Sequence, residues 1–144
     1  MAFEYKNILI ATDGSELSKK AFNRAIYIAK RDDATLVLAH VVEDQNFPKI
    51  ETYLKNIYEY SQLAAEEMLN EYEKKAGEAG VKKIKKVIKF GSPKGILLEE
   101  IIPEEKIDLV VLGATGVSAV ERILIGSVSE SIFRYSKSDV LVIR

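Results

Sequence analysis

The sequence contains no cysteine, no long apolar run and no excess of charge of either sign. Without cysteine, the chain can form no disulfide, carry out no thiolate chemistry and build no cysteine-ligated zinc site. No apolar run approaches the roughly 18–20 residues of a membrane span. Lys and Arg total 21 against 22 for Asp and Glu, so the positive surplus that non-specific nucleic-acid binding needs is missing. We therefore expect neither a membrane nor a nucleic acid among its partners.

The length and the first residues favour one cytoplasmic domain. A chain of 144 residues, 47% of them hydrophobic, suits a single domain over residues 1–144. Such a chain buries roughly 68–70% of its unfolded surface and needs no metal or disulfide to form a core. The segment Met1–Lys6 carries charges where a secretory signal would have its apolar stretch, which favours a cytoplasmic location.

Five short apolar runs alternate with longer amphipathic segments. The runs are Asn7–Thr12, Thr35–Val42, Ile84–Lys89, Asp108–Leu112 and Val140–Ile143. Four of them are apolar at consecutive positions, which is typical of parallel strands buried on both faces. The lysines within Ile84–Lys89 indicate an edge strand. The order βαβαβαβαβ predicts an α/β fold with a doubly wound, five-stranded parallel sheet and helices on both faces, in three layers.

Capping residues predict where each helix begins or ends. The first helix should follow Ser15, the second should open near Pro48 and stop at Gly77 and Gly80, the third should run from an N-cap at Ser92 to Pro103, and the fourth should begin with the capping-box spacing of Ser127 and Glu130.

Doubly wound sheets bind ligands beyond the carboxyl ends of their strands, so the residues that follow each strand are the candidates. After the fourth strand come Gly113 and Gly116, then nine residues, then Gly126 and Ser127. The glycines leave backbone N–H groups unshielded, and the start of the fourth helix adds amide donors and the positive end of a helix dipole. Together they predict a phosphate cradle, although each glycine alone is equally typical of a tight turn.

The glycine spacing resembles the motif G-x2-G-x9-G-[ST] of the ATP-binding branch of the universal stress protein family. The match runs from end to end and rests on Gly113, Gly116, Gly126 and Ser127, on Ile8–Ser15 and Leu38–Val42 as the first two strands, and on Val140–Arg144 as the last. The resemblance implies the Rossmann-like, adenine nucleotide α-hydrolase-like form of the predicted fold. It also implies a homodimer joined through the apolar edge strand Val140–Ile143.

The resemblance implies an adenine-nucleotide site and assigns its parts by position. Asp13 corresponds to the acidic residue beside the adenosine, Ala11 and Thr12 to residues that line that pocket, Val41 to the adenine edge, Gly113 and Gly116 to residues near ribose and phosphates, and Gly126, Ser127, Val128 and Ser129 to residues that hold the phosphate tail. Leu112 and Val41 are apolar enough to cover a base. Asp13 has a second interpretation as an Asx-turn residue before Gly14.

The implied ligand is ATP, or ADP or AMP, with Mg²⁺ bridging the phosphates rather than bound by protein side chains. Ala114 and Thr115 stand where the family often has a Ser and a His or Arg, so the site is short of cations. Arg122 is a candidate replacement, with a solvated surface charge as the alternative. The expected Mg²⁺ compensates for this shortage.

Other nucleotide-binding classes fail on inspection. A Walker-type NTPase needs a G-x-x-x-x-G-K-[ST] string, and none occurs. A dinucleotide-binding fingerprint needs G-x-G-x-x-G after the first strand, where only Gly14 is found. A phospho-receiver needs clustered acidic residues at the ends of the first and third strands, but Asp13 has no acidic companion at the third. His40, the one histidine, is interpreted as structural. The tyrosines of the second helical segment indicate core packing or a partner surface; they are Tyr53, Tyr58, Tyr60 and Tyr72.

Three functions remain open. The first is an ATP-binding stress-response or signalling module, in which the nucleotide is a ligand rather than a substrate because no convincing general base is present. The second is a dimeric interaction protein with a vestigial nucleotide site and an unidentified protein partner. The third is a slow ATP hydrolase in which Asp13 orients metal or water.

Overall fold

The computed structural model describes residues 3–12, 16–45, 47–114 and 127–144, without the side chains of residues 51–53. The strands are β1 (Asn7–Ala11), β2 (Thr35–Val42), β3 (Lys83–Phe90), β4 (Leu109–Gly113) and β5 (Asp139–Ile143). The helices are α1 (Glu16–Asp32), α2 (Glu51–Glu78), α3 (Pro93–Ile96), a π-helical turn (Leu97–Ile101), α4 (Ile102–Glu104) and α5 (Ser127–Tyr135).

The five strands form one parallel sheet in the order β3-β2-β1-β4-β5. In the central register, Leu9 pairs with Val37 on one side and with Val110 on the other. The chain winds outward from β1 in one direction and then, from β4, in the other, so the strand order reverses between β1 and β4. The predicted doubly wound α/β fold is confirmed, with β3 and β5 at the two edges.

Strand alternation divides the core into two layers, one on each face of the sheet. On the α1/α2 face, Ile8, Ile10 and Leu38 pack against α1 and α2. On the α3–α5 face, Leu9 and Val110 pack against Leu97 and Ile101 and against Ile132 of α5. Since both faces are buried, consecutive strand residues must all be apolar, which is why the central strands read as continuous apolar runs.

The lysines of β3 bind acidic residues on both faces of the sheet. Lys89 pairs with Glu100 at 3.1 Å and with Glu104 at 3.0 Å on the α3–α5 face. Its side-chain hydrogen bonds with these two carboxylates raise the pKa of Lys89. Lys86, on the α1/α2 face, pairs with Glu73 of α2 at 3.1 Å. The predicted edge strand is confirmed, and its lysines also link the sheet to the helices above and below.

The helices of the second half of the chain begin where predicted, but one of them ends later than Pro103. Ser92 takes the N-cap position with an extended backbone, but its side chain makes no capping hydrogen bond. The helical path does not close at Pro103; it continues to Glu104, because the wider π turn before it accommodates a residue without an N–H. Helix α5 begins at Ser127 as predicted, and Glu130 binds Arg134 one turn later at 2.9 Å.

A buried carboxylate holds the segment that enters β1. Asp32, at the end of α1, is 8% exposed and accepts hydrogen bonds from the Tyr5 backbone N–H at 2.9 Å and from Arg31 Nε at 2.8 Å. The hydrogen bond from Arg31 is the main cause that lowers the pKa of Asp32. The ionised form therefore stabilises the fold.

We expect Asp32→Asn to lower the free energy of unfolding at pH 7 by about 1.5–3 kcal/mol, the range for hydrogen bonds to charged groups. Because the folded-state pKa lies below the ordinary 3.8, the contribution is complete above that value and is lost as pH falls through the lowered pKa. In urea unfolding measured from pH 7 to pH 3, the free energy of unfolding should therefore fall less steeply with pH in the variant than in the parent protein. Asp33→Asn is the matched control, since Asp33 has an exposed carboxylate and a φ of 51° that Asn tolerates. Equal effects of the two substitutions would contradict the role given to Asp32.

Candidate functional site

Three apolar residues predicted to lie near a base come together at the carboxyl edge of the sheet. Ala11, Val41 and Leu112 end three neighbouring strands and share the α3–α5 face, where Val128 of α5 packs with them. Leu112 is buried, whereas the other three are half-buried. This group, the apolar cluster, lies beside the point where strand order reverses, at which doubly wound sheets bind ligands.

Thr12 lies on the other side of the sheet from Ala11 by strand alternation. Its N–H donates to the Ala39 carbonyl at 3.0 Å, which extends the β1–β2 ladder by one residue. Its hydroxyl Oγ1 is buried and has no hydrogen-bond partner among the residues that the structure describes. A buried hydroxyl without a partner is costly, so the turn after β1 holds one polar group that a ligand or water would satisfy.

His40 is fixed by the backbone at the end of β1. Its Nδ1 lies 2.9 Å from the Thr12 carbonyl oxygen, and because a carbonyl only accepts, Nδ1 carries the proton. This contact supports the structural interpretation of His40. It also ties the end of β2 to the residue that precedes the predicted Asp13 turn.

The first turn of α5 is joined directly to the end of β4. Ser129 Oγ donates to the Gly113 carbonyl at 2.6 Å, and the Ala114 N–H donates to the Ile143 carbonyl at 2.8 Å. The start of α5 therefore lies at the carboxyl edge of the sheet, next to the apolar cluster. The first N–H groups of an α-helix have no acceptor within the helix, so the start of a helix such as α5 is a position at which backbone amides can bind an anion. Ser127 is exposed, as a phosphate contact requires.

Gly113 is required by packing, independently of any ligand. A Cβ at this position would lie 3.0 Å from both the backbone carbon and the Cβ of Leu17 in α1. No local signal marks this contact, because Leu17 and Gly113 are far apart in sequence and meet only when α1 packs over β4.

Several predicted site residues lie outside the described part of the chain. They are Asp13, Gly116 and Gly126, together with Thr115 and Arg122. Among the residues that are described, no three His, Asp or Glu side chains are grouped so as to hold a metal ion. Within the same residues, no helix combines the length and the apolar character needed to cross a membrane.

Comparisons with known proteins agree on one family. The model of the Universal stress protein family matches residues 4–144. A Staphylococcus aureus (strain USA300) protein named as a universal stress protein is 46% identical over 140 residues, which cover 97% of this chain and 84% of that protein. Universal stress protein UspA from Lactobacillus plantarum superposes with a TM-score of 0.88 at 28% identity, over 99% of this chain and all of that one. A universal stress protein in complex with cAMP superposes with a TM-score of 0.69 at 31% identity, over 99% and 98% of the two chains.

Gly113→Ala should destabilise the protein in the absence of any nucleotide, by about 1–3 kcal/mol, because the added methyl group overpacks against Leu17. Gly95→Ala is the matched control, since a Cβ there meets nothing within 4 Å. Urea unfolding of ligand-free protein measures both. If Gly113→Ala were as stable as the parent, the glycine would have to be explained by ligand binding instead.

Proposed function

Because the chain belongs to the universal stress protein family, we propose that it binds an adenine nucleotide, foremost ATP, as a regulatory ligand. The observation that carries the proposal is the meeting of the apolar cluster with the first turn of α5 at the reversal point of the sheet. The solved relative in complex with cAMP, which is also an adenine nucleotide, supports it.

The two parts of the site suit the two parts of such a ligand. Ala11, Val41 and Leu112 offer an apolar surface on which a base can leave water. The α5 amides and the positive end of its dipole suit a phosphate. Since the Ser129 hydroxyl already donates its proton to Gly113, Ser129 would offer its backbone N–H, whereas Ser127 would offer both groups.

The remaining predicted contacts complete the proposal. Asp13 would accept from the adenosine, and Gly116 and Gly126 would place further amides near the phosphates. The donor set of the described site is backbone amide and hydroxyl, which fits a phosphate chain whose charge is partly neutralised by Mg²⁺. We propose that phosphate oxygens and water hold that ion, rather than protein side chains.

A ligand role fits the surroundings of the one histidine. His40 donates a hydrogen bond from Nδ1 to the Thr12 carbonyl, and among the described residues no carboxylate contacts the imidazole. General base catalysis by histidine normally needs such an orienting partner. We therefore expect slow ATP turnover at most.

We expect nucleotide-stripped protein to bind ATP with Mg²⁺ saturably in calorimetry, at micromolar affinity. Gly116→Arg should abolish that binding, because a long side chain would occupy the predicted cradle. Gly77→Arg makes the same substitution in α2, where a Cβ meets nothing within 4 Å, and should bind as the parent does. Bound ATP should also raise the melting temperature with concentration, as RT ln(1 + [L]/Kd) requires.

Two results would contradict this proposal. No heat and no thermal shift with the parent protein would mean that the glycines serve turn geometry alone. Several turnovers per second by the pure protein would contradict the ligand role and favour a hydrolase, which Asp13→Asn would then test.

We also propose a homodimer formed through β5. The Asp139 N–H donates to the Asp108 carbonyl, and the Ala114 N–H donates to the Ile143 carbonyl. These two hydrogen bonds show which backbone groups of β5 face β4. By alternation, the N–H groups of Val140 and Val142 point away from the sheet. This edge is apolar and lacks the lysines that protect β3, and an edge of that kind has to be paired or covered.

Val142→Pro should convert the dimer to a folded monomer, because it removes an outward N–H without disturbing the β4 ladder. Sedimentation at micromolar concentration and circular dichroism measure the two effects. Lys86→Pro is the control at the opposite edge, β3. The Gly91 N–H donates to the Val42 carbonyl of β2, so by alternation along β3 the Lys86 N–H points away from the sheet. A parent protein that sediments as a monomer would contradict the dimer.

A further inference from the structure

A cavity lies on the opposite side of the sheet from the apolar cluster. It has a volume of about 480 Å³ and is lined by Tyr58, Glu59, Gln62, Leu63 and Phe90. Lys89 points to the acidic residues of the α3–α5 face, so its neighbour Phe90 points to α2 on the α1/α2 face. This cavity, the α2–β3 pocket, is therefore separate from the proposed nucleotide site.

Aromatic rings form one wall of the α2–β3 pocket. The Tyr58 ring lies 5.0 Å from that of Phe90, at an interplanar angle of 55°, and 5.2 Å from that of Phe47. Leu63 is 59% exposed, and Tyr60 on the next turn is 76% exposed. The pocket thus presents ring faces and aliphatic surface that no described residue covers.

The polar groups around the pocket are mainly acceptors. The Tyr58 hydroxyl donates to Asp44 at 2.7 Å, and this hydrogen bond raises the pKa of Tyr58, so the phenol remains neutral. An amide hydrogen of Gln62 goes to Glu66 at 3.0 Å, which leaves the Gln62 carbonyl oxygen to accept. An anion would find few donors here.

Glu59 supplies the negative charge at the pocket. Among the described residues it has no ion pair and no hydrogen bond, and Lys55, one helical turn earlier, does not pair with it. The lysines nearest along β3 are engaged elsewhere, Lys86 with Glu73 and Lys89 with Glu100 and Glu104. The Glu59 carboxylate therefore lines the pocket together with two aromatic residues and forms no ion pair with any described residue.

We propose that the α2–β3 pocket binds a small organic cation, an ammonium or guanidinium group carried on an apolar body. The rings of Tyr58 and Phe90 would face the cation through their negative quadrupoles, Glu59 would pair with it, and Leu63 would contact the apolar body. The cavity volume falls within the range of about 300–1,000 Å³ that small-molecule sites occupy.

Three probes with the same six-carbon body and different head groups test the proposal: hexylammonium, 1-hexanol and hexanoate. Side-chain NMR shifts of Tyr58, Leu63 and Phe90 report binding at the pocket. Hexylammonium should bind about threefold to thirtyfold more tightly than hexanol, the combined range for an exposed cation–π contact and ion pair, and hexanoate should bind most weakly. Equal shifts by all three probes would show apolar contact alone and would overturn the proposal, as would no shift with hexylammonium.

Glu59→Gln should weaken hexylammonium binding about twofold to fivefold and leave hexanol unchanged. Glu67→Gln removes an exposed carboxylate further along α2, outside the pocket, and should change neither. Saturating ATP with Mg²⁺ should not compete with hexylammonium, because the two sites lie on opposite faces. Competition would contradict a separate site, whereas a failure of ATP binding would leave the hexylammonium result standing.

Discussion

The end of β4 is held between two helices, and this junction positions the whole carboxyl edge. Leu17 of α1 approaches Gly113 so closely that an added Cβ would lie 3.0 Å from it, while Ser129 of α5 binds the Gly113 carbonyl from the other side. These two contacts hold the end of β4 in place beside the point where strand order reverses. The hydrogen bond from Ser129 to the Gly113 carbonyl places the start of α5 next to the apolar cluster.

Strand alternation allows one sheet to carry two different surfaces at the same edge. Val41 points to the α3–α5 face, where an apolar surface meets helix amides, and Phe90 points to α2, where aromatic rings meet a carboxylate. The first surface suits an anion with an apolar base, and the second suits a cation with an apolar body. The buried strands between them keep the two apart.

The two edges of the sheet are treated in opposite ways. On β3, Lys86 binds an acidic residue on one face of the sheet and Lys89 binds two on the other, so charged side chains flank this edge. On β5, Val140–Val142 leave an apolar edge that is half-buried in the single chain. Charge on one edge restricts pairing to the other, which is the physical reason to expect a dimer of defined geometry.

The pattern of apolar and polar residues along the chain was sufficient to predict the fold, because the burial of each strand and helix determines which of its consecutive residues are apolar. The continuous apolar runs predicted buried parallel strands, and the lysines of Ile84–Lys89 predicted an edge, both as observed. One helix end was less well predicted: the π turn before Pro103 depends on packing that capping patterns do not include.

For the candidate site, the sequence by itself determined the order of the strand ends and the residue types that follow them. It therefore placed Ala11, Val41 and Leu112 at one edge of the sheet. Only the tertiary structure decided that these three share a face, that the buried Thr12 hydroxyl has no partner within the described ranges, and that Leu17 packs tightly against Gly113. These facts depend on distances between segments far apart in the chain, which no local pattern encodes.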